Sequence, residues 1–234
     1  MELCLDDVSH SYVAGSLALT DVTVTIGTGI TGLVGVNGAG KSTLLRLAAG
    51  ALRPWRGSVS CGGSDLYGAG RRSALPRVAW MPQAAGFPKS LTAREFVTYV
   101  TWMRGNSWRW SRSHASAALE AVELGGQADH RMGRLSGGMV RRVWLAQALA
   151  ADADILLLDE PSTGLDPHQR ATMVRLLGDV GDRTVLLSSH ILEDVAVLAS
   201  RVIVLDAGRV TYDAVKPDRV DVDWFLAHTS RTES

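Results

Sequence analysis

The sequence Gly35-Val36-Asn37-Gly38-Ala39-Gly40-Lys41-Ser42 separates two segments with different hydrophobic patterns. Residues 30–34 form a short run of mostly apolar and β-branched side chains, which is typical of a strand. Residues 42–49 carry apolar side chains at helical spacing, and Gly50 supplies a stop signal. We therefore expect a glycine-rich loop between a strand and a helix, with its backbone N–H groups and the helix N-terminus turned toward a bound anion.

The spacing of Gly35, Gly40, Lys41 and Ser42 matches the phosphate-binding loop of nucleoside triphosphatases. In that loop the lysine reaches the β- and γ-phosphates, and the next hydroxyl ligates Mg²⁺. The alternative is a glycine-rich turn that holds no ligand, and the flanking strand and helix argue against it. We expect Lys41 and Ser42 to hold phosphate and metal.

Asp159-Glu160 is a second candidate site feature. The apolar run 155–158 has the length of a strand and ends in these two acids, so both carboxylates are expected at the sheet edge where open α/β folds bind ligands. Asp159 is expected to contact Mg²⁺, and Glu160 to polarise a water or act as general base. An acidic pair is also common at an ordinary strand end. The catalytic interpretation of Asp159 and Glu160 therefore depends on the presence of the phosphate-binding loop that contains Lys41.

Hydrophobic patterning predicts an α/β protein with further parts. The apolar runs 155–158 and 184–187 are expected to be parallel strands covered by helices. Short strands at residues 17–19 and 22–26 indicate an antiparallel region, and helical spacing between Leu91 and Leu124 indicates a helical insert. The predicted organisation is a nucleotide-binding core at 1–84 and 139–215, a helical subdomain at 85–138, and a short tail at 216–234 with a helix at 222–226.

Composition argues against several classes of protein. The 24 basic residues balance the 24 acidic ones, which gives no electrostatic reason to expect nucleic acid as a partner. Cys4 and Cys61 are not in metal-ligand spacing, so zinc is not indicated. The N-terminus is acidic where a signal peptide is basic, and no apolar run approaches the ~18 residues of a membrane span. We expect a cytoplasmic chain whose membrane part, if it serves a membrane process, is another polypeptide.

Further motifs follow in order along residues 12–208 and resemble those of ATP-binding cassette (ABC) proteins. Leu135-Ser136-Gly137-Gly138-Met139 resembles the family's signature, and Gln83 in Met81-Pro82-Gln83 its glutamine loop. Ser162-Thr163-Gly164-Leu165-Asp166 is similar to the loop after the acidic strand, and His190 in Ser188-Ser189-His190 to the switch histidine. The resemblance implies a P-loop NTPase core with an N-terminal antiparallel β-subdomain and an inserted α-helical subdomain.

The resemblance also implies a function. The chain would be the ATP-binding and hydrolysing subunit of an ABC transporter, with ATP and Mg²⁺ as cofactors. Its partners would be an integral membrane permease subunit and a second copy of itself or a homologous cassette, with no nucleic acid. It would be cytoplasmic and peripheral at the inner face of the cell membrane. Export is favoured because residues 91–96 look like those of short cassettes paired with drug or lipid exporters, and because the long C-terminal regulatory domain of many importers is lacking.

The implied site is composite, with two cassettes enclosing two ATP molecules. Each ATP would be held by the Lys41 loop of one chain and by Ser136-Gly137-Gly138 of the other. Asp166 would link the two sites, and Tyr12 would stack on adenine, with an ordinary strand tyrosine as the alternative. The implied catalytic residues are Glu160, His190 and Gln83, the metal ligands are Ser42, Gln83 and Asp159, and the further nucleotide contacts are Asn37, Gly38, Ala39, Gly40 and Thr43.

The sequence departs from the family's usual pattern at four positions, which are Thr28, Gly29, Val36 and Met139. Met139 replaces a Gln at the end of the signature, which removes an amide but leaves the serine and glycine donors. Thr28-Gly29 replaces a common Gly-Glu, and Val36 a common Pro, which changes local turn geometry but no catalytic group. Hydrolysis is therefore expected to survive.

Other aromatic and histidine residues have no clear motif. Phe96, Tyr99, Trp102 and Met103 are at helical spacing, and they either pack inside the insert, which is the simpler interpretation, or line a groove for a helix of the membrane subunit. Trp108-Arg109-Trp110 is expected to be a solvated loop with anchored tryptophans, with approach to a membrane surface as the alternative.

Surface or hydrogen-bonded structural positions are expected for the remaining histidines, which are His10, His114, His130, His168 and His228.

Two other functions compete with a transporter subunit. One is an ABC ATPase acting in DNA repair, translation or iron–sulfur cluster assembly, but the chain has neither the long coiled-coil inserts of repair members nor two cassettes. The other is a kinase, which would leave residues 135–139 and His190 without a purpose. The motifs determine neither the transported substrate nor the choice between homodimer and heterodimer.

Overall fold

The structure is a computed structural model that describes residues 1–13, 16–83 and 86–229. Its strands are β1 (Leu3–Val13), β2 (Ser16–Ile26), β3 (Gly29–Val34), β4 (Arg56–Cys61), β5 (Ser64–Asp65), β6 (Val78–Met81), β7 (Ile155–Asp159), β8 (Thr184–Ser188), β9 (Arg201–Asp206) and β10 (Arg209–Val215). Its helices are α1 (Lys41–Ala48), α2 (Arg71–Ala74), α3 (Ala93–Met103), α4 (Trp108–Ala121), α5 (Gly137–Ala150), α6 (Pro167–Gly178), α7 (Leu192–Leu198) and α8 (Val222–Ala227).

The N-terminal strands form an antiparallel sheet in the order β2-β1-β4-β5, as the sequence predicts. The two short strands expected within residues 17–26 are instead one strand, which pairs with β1 from Leu3↔Ile26 to Val13↔Ser16. Irregular register near Asp21, whose φ is 49°, accommodates the polar residues that look like a break in the sequence. A bulge bends a strand without ending it, which explains the difference.

The second sheet positions the candidate site. Its order is β10-β9-β3-β8-β7-β6, and only β10 is antiparallel to its neighbour. β7 and β8 are buried along their whole length, as expected for strands covered on both faces. Parallel pairing brings the segments that follow β3, β6, β7 and β8 to one edge. Those segments carry Lys41, Gln83, Glu160 and His190.

A helical layer lies between β6 and β7 in the chain. α3, α4 and α5 pack on one another around buried side chains such as Phe96, Leu119 and Val143, and α5 also packs on β6. Within the described residues 86–154 there are helices, turns and one isolated bridge, but no strand. The boundary at residues 84 and 85 lies outside the described residues, as do residues 230–234 of the tail, so the domain limits stay a prediction.

Two expectations for this layer were wrong. Phe96 is buried, but Tyr99, Trp102 and Met103 are exposed, so packing inside the insert accounts for only the first of the four. Helical spacing marks one face of a helix without showing what covers it. Trp108-Arg109-Trp110 is not a loop but the first turn of α4, which Ser107 caps by accepting a hydrogen bond from the Trp110 N–H at 3.3 Å.

The fully buried Leu119 allows the packing of the helical layer to be tested. We expect Leu119→Ala to lower the free energy of unfolding by about 2–5 kcal/mol, because it removes buried methyl groups and leaves a cavity. Leu226→Ala, at a leucine that is 52% exposed, is the matched control and should change it by less than about 1 kcal/mol. Urea unfolding would measure both, and equal losses would contradict the packing described.

Candidate nucleotide site

The loop between β3 and α1 presents backbone donors to the solvent side of the sheet edge. Gly40, the N-cap of α1, has φ 106° and no side-chain cap, and the first turn of the helix contains no acid. A Cβ on Gly40 would lie 2.6 Å from the Ala18 carbonyl, and one on Gly35 would lie 2.3 Å from the Leu205 carbonyl. Glycine is therefore required at both positions, and the helix N-terminus stays open to an anion.

Lys41 places a cation in this loop. The residue is buried, and its Nζ donates to the carbonyls of Gly35 at 2.6 Å and Val36 at 3.1 Å. Burial lowers the pKa of Lys41, while the nearby charges of Glu160 and Asp159 oppose this shift. A buried ammonium whose hydrogen bonds within the described residues go to two carbonyls is a good partner for an anion at the mouth of the loop.

A cavity of about 500 Å³ opens in front of Lys41. Its walls come from β1 and β2, from the loop and α1, and from the ends of β6 and β7. The structure thereby brings together nine of the predicted contacts and catalytic groups with one further residue, Ala18 of β2. The lining residues are Tyr12, Ala18, Asn37, Gly38, Gly40, Lys41, Ser42, Thr43, Gln83 and Glu160.

Not every predicted contact lines the cavity. Ala39 is 2% exposed and lies behind the loop, with its N–H donating to the Val36 carbonyl at 3.1 Å. Tyr12 does line the cavity, and its hydroxyl lies 3.3 Å from Thr43 Oγ1 and accepts a bond of 3.3 Å from Arg46 Nη1. These bonds hold the ring beside α1, so either interpretation of Tyr12, stacking or structural, fits its position.

Glu160 is the centre of the polar cluster at the sheet edge. Its Oε2 accepts hydrogen bonds from Gln83 Nε2 at 2.9 Å and from Thr163 Oγ1 at 3.2 Å. His190 Nδ1 lies 3.2 Å from the same oxygen. Three groups from three different loops therefore meet on one carboxylate oxygen. Glu160 itself is 7% exposed and lines the cavity.

The backbone of Glu160 is strained. Its φ is 50°, in the left-handed region that non-glycine residues seldom adopt, at a typical cost of about 1–3 kcal/mol. The Glu160 N–H donates to Ser188 Oγ at 2.9 Å and to the Ser188 carbonyl at 3.2 Å. Ser188 Oγ also donates to Asp159 Oδ1 at 2.7 Å. Ser188, for which the sequence predicts no role, thus holds the side chain of Asp159 and the backbone of Glu160.

Arg141 is another residue without a role in the sequence analysis. Its guanidinium is buried and donates to backbone carbonyls after β6 and at the end of β7. An arginine on an amphipathic helix is normally read as exposed, so no local signal in the sequence reveals this position. Ser188 is easier to find, because a polar residue that ends a buried strand beside an acidic strand is a candidate for hydrogen bonding to it.

The residues at this edge fit Mg²⁺ better than a metal held by protein alone. In the described part of the chain no group of three or more His, Cys, Asp or Glu residues is placed to hold a metal. Mg²⁺ instead takes oxygen ligands from one or two carboxylates, from hydroxyl groups and from nucleotide phosphates. The Ser42 hydroxyl, the Gln83 amide oxygen and the Asp159 carboxylate are ligands of that kind.

The signature residues lie elsewhere in the chain. Ser136 caps α5 by accepting a bond of 3.3 Å from the Met139 N–H, and Ser136 and Gly137 are exposed. None of the residues 136–138 is among the described residues that line the Lys41 cavity. Asp166 is likewise exposed and caps α6, accepting a 2.9 Å bond from the Gln169 N–H. Within one chain, the signature residues are therefore separate from the Lys41 cavity.

One histidine differs from expectation. His10 is 8% exposed, and within the described part of the chain both of its ring nitrogens are buried without a hydrogen-bond partner. Its ring contacts Tyr12 edge to face at a centroid distance of 5.0 Å. The expectation of a surface or hydrogen-bonded position was wrong for His10, because a strand residue two positions from Tyr12 packs on the same face.

A phosphate loop, an acidic strand end and a polar sheet edge define a nucleoside-triphosphate site on a P-loop α/β fold. The model of the ABC transporter family matches residues 19–163, and the chain belongs to this family. This confirms the predicted family and fold class.

Sequence relatives lie among export ATP-binding proteins. The chain is 38% identical over 180 residues to the Nod factor export ATP-binding protein I of Burkholderia orbicola, covering 76% of this chain and 59% of that protein. It is 38% identical over 209 residues to the protein of the same name from Rhizobium johnstonii, covering 88% and 66%. The chain thus spans about three-fifths of the length of the Burkholderia relative.

A solved structure supports the same fold. It is a dimeric, post-hydrolysis state of an ATP-binding cassette bound to ADP and Pi, with 25% identity and a TM-score of 0.83. The similarity covers 93% of this chain and 99% of that one. The whole architecture of both sheets and the helical layer is therefore shared.

The position of Lys41 predicts the effect of its removal. Lys41→Ala should weaken ATP binding at least about tenfold, because charge-assisted hydrogen bonds contribute about 1.5–3 kcal/mol each. Lys89→Ala, at an exposed lysine, should bind ATP as the wild type does. Titration with a fluorescent ATP analogue would measure both affinities, and unchanged binding by the Lys41 variant would rule out the loop as the phosphate site.

Proposed function

We propose that this chain binds and hydrolyses ATP as the nucleotide-binding subunit of an ABC transporter, and that it dimerises around ATP to power export through a partner membrane subunit. The observation that carries the proposal is the shared cavity of Lys41 and Glu160, with Gln83 and His190 on the same carboxylate. This arrangement joins a phosphate-binding cation to a candidate base in one space, which is what hydrolysis of a terminal phosphate requires.

In the proposed reaction the chain holds and orients the reactants. The loop N–H groups and Lys41 bind the β- and γ-phosphates, and Ser42, Gln83 and Asp159 would hold Mg²⁺. When bound, Mg²⁺ supplies positive charge that offsets the charge of the phosphates. Glu160 Oε2 accepts a proton from the attacking water, or orients that water, while Gln83 and His190 fix the direction of the carboxylate.

The separate signature site supports a dimer. Ser136, Gly137 and Gly138 form a helix N-terminus whose first two residues are exposed and whose first turn has no acid, on a helix of 14 residues. Such a terminus attracts a phosphate group, yet the cavity of the same chain does not include it. A second copy, or a homologous cassette, would bring its own Lys41 loop to this terminus, as the dimeric state of the related cassette suggests.

An apolar groove supports a membrane partner. A groove of about 520 Å³ lies between the core and the helical layer, beside the segment that carries Gln83. On α3, the exposed Tyr99 and Trp102 each directly precede a lining residue of the groove in sequence. An amphipathic helix of the partner would bury its apolar face there, in the manner of helix-in-groove recognition. The lining side chains include Leu75, Pro76, Trp80, Val100, Met103 and Trp144.

The groove and the relatives also bear on location. No helix in the described part of the chain is long and apolar enough to span a membrane. A partner that carries the membrane spans would hold the chain at the cytoplasmic face. Export is favoured because the relatives are named export ATP-binding proteins. The apolar groove favours a transporter subunit, because it offers a binding site for a helix of a membrane partner. The lack of net positive charge argues against an ABC ATPase that acts on nucleic acid.

Glu160→Gln separates binding from hydrolysis. It keeps the size of the side chain and can still hydrogen-bond, but it removes the negative charge that accepts a proton. We expect ATP binding to persist and hydrolysis to fall by about 10²–10⁴-fold. Phosphate release and size-exclusion chromatography with ATP would show a slow enzyme that accumulates as a closed dimer.

Glu193→Gln, at an acid on α7 outside the Glu160 cluster, is the control for this experiment and should hydrolyse ATP as the wild type does. Hydrolysis by Glu160→Gln at the wild-type rate would refute the catalytic assignment. A monomer under conditions in which the wild-type chain dimerises with bound ATP would refute the sandwich.

Ser136→Arg tests the second half of the site. A bulky cation at this exposed cap should leave ATP binding by the single chain unchanged, because the Lys41 cavity is separate. It should prevent the partner chain's nucleotide from reaching the helix terminus, so that ATP-dependent dimers are lost. Light scattering in the Glu160→Gln background would measure this, and dimers of normal stability would contradict the composite site.

A further inference from the structure

The side chain of Arg141 connects two separate segments of the site. It lies in the second turn of α5 and is 8% exposed. Its Nη1 donates to the carbonyls of Pro82 at 3.0 Å and Gln83 at 2.5 Å. Its Nη2 donates to the carbonyls of Asp159 and Glu160. One guanidinium thus joins the backbone that follows β6 to the backbone at the end of β7.

The acceptors of Arg141 show what this contact does. All four are backbone carbonyls, so the contact fixes the position of main-chain segments and neutralises no side chain directly. A guanidinium is planar and presents its N–H groups in a rigid fork, whereas a lysine ammonium is a single point of charge. The fork therefore sets the separation of the two segments, and a lysine cannot reproduce it.

The two segments are those that carry Gln83 and Glu160. Glu160 has the strained φ of 50°, and its N–H is held by Ser188 while its carbonyl is held by Arg141. A strained residue keeps its conformation only when its surroundings hold it from several sides. Without Arg141, the two segments lose the guanidinium that joins them, and the Glu160 carbonyl keeps the Thr163 N–H at 3.2 Å. The side-chain bond of 2.9 Å between Gln83 and Glu160 can still form.

We propose that Arg141 is a positioning residue, which fixes Gln83 and Glu160 relative to each other and so sets the direction of the Glu160 carboxylate toward the attacking water. This inference rests on the proposed ATPase function and deepens it. It predicts that Arg141 acts on the rate of hydrolysis and not on the affinity for ATP, because the phosphate loop is built from residues that Arg141 does not contact.

Arg104 offers a matched control within the same protein. It lies at the other end of β6 and also donates to two carbonyls, those of Val78 at 3.0 Å and Pro76 at 2.5 Å. Burial lowers the pKa of both guanidinium groups. Arg104 therefore has a similar environment and similar bonds but no contact with Gln83 or Glu160.

The experiment compares Arg141→Lys and Arg104→Lys in the full chain. For Arg141→Lys we expect kcat for ATP hydrolysis to fall at least about tenfold, the scale of a small misplacement of a catalytic group, with KM for ATP within about twofold of wild type. Arg104→Lys should keep kcat within about twofold even if it lowers Tm to the same extent. A wild-type kcat in Arg141→Lys, or losses of kcat that follow Tm equally in both variants, would overturn the inference.

A second measurement does not depend on activity. Hydrogen exchange of the peptide that covers residues 159–163, in protein without nucleotide, should lose protection about tenfold in Arg141→Lys and not in Arg104→Lys, because local opening becomes easier when a buried tether is removed. Unchanged protection would show that Arg141 does not hold the segment. If the wild-type chain fails to hydrolyse ATP, the proposed function fails, and this measurement still decides the structural claim.

Discussion

Asp159 of β7 pairs with Ser188 of β8, and the register of this parallel pairing sets the position of every group at the sheet edge. Because β6 pairs with β7 in parallel as well, with Met81 opposite Leu158, the chain leaves all three strands at the same level. Gln83, Glu160 and His190 follow within two residues of those strand ends. Their meeting on one carboxylate oxygen is therefore a consequence of main-chain hydrogen bonding, which a side-chain substitution on the surface cannot shift.

The same pairing explains how Glu160 can adopt a strained backbone. The main chain must leave β7 and turn at once, since Pro161 follows and Thr163 returns its N–H to the Glu160 carbonyl at 3.2 Å. A left-handed residue makes this turn possible but is costly for glutamate. Bonds to Ser188 of β8 offset that cost on the N–H side, while Thr163 and Arg141 donate to the carbonyl on the other side.

The parts of the site that could be predicted from the sequence are those whose chemistry is local. The loop of residues 35–42 carries its glycines, cation and hydroxyl in one stretch, and the strand before Asp159 is marked by four apolar residues. Arg141 could not be predicted, because its partners lie just after β6 and at the end of β7, and a helix sequence does not show which carbonyls the side chain will face. The exposure of Tyr99, Trp102 and Met103 was missed for a related reason, since periodicity identifies a face but not its neighbour.

The two buried cations near the site have different tasks, and their partners show why. The four N–H groups on Arg141 Nη1 and Nη2 are matched by four carbonyls, so binding an anion would require breaking contacts that hold the site together. Lys41 Nζ is bonded to the carbonyls of Gly35 and Val36, while Glu160 and Asp159 act on it only through Coulomb interaction. A phosphate can therefore bind to the Lys41 ammonium without breaking an ion pair between Lys41 and either acid. The cation proposed to bind ligand is thus separate from the cation that maintains geometry, and the hydrogen bonds of both acids are made to groups other than Lys41.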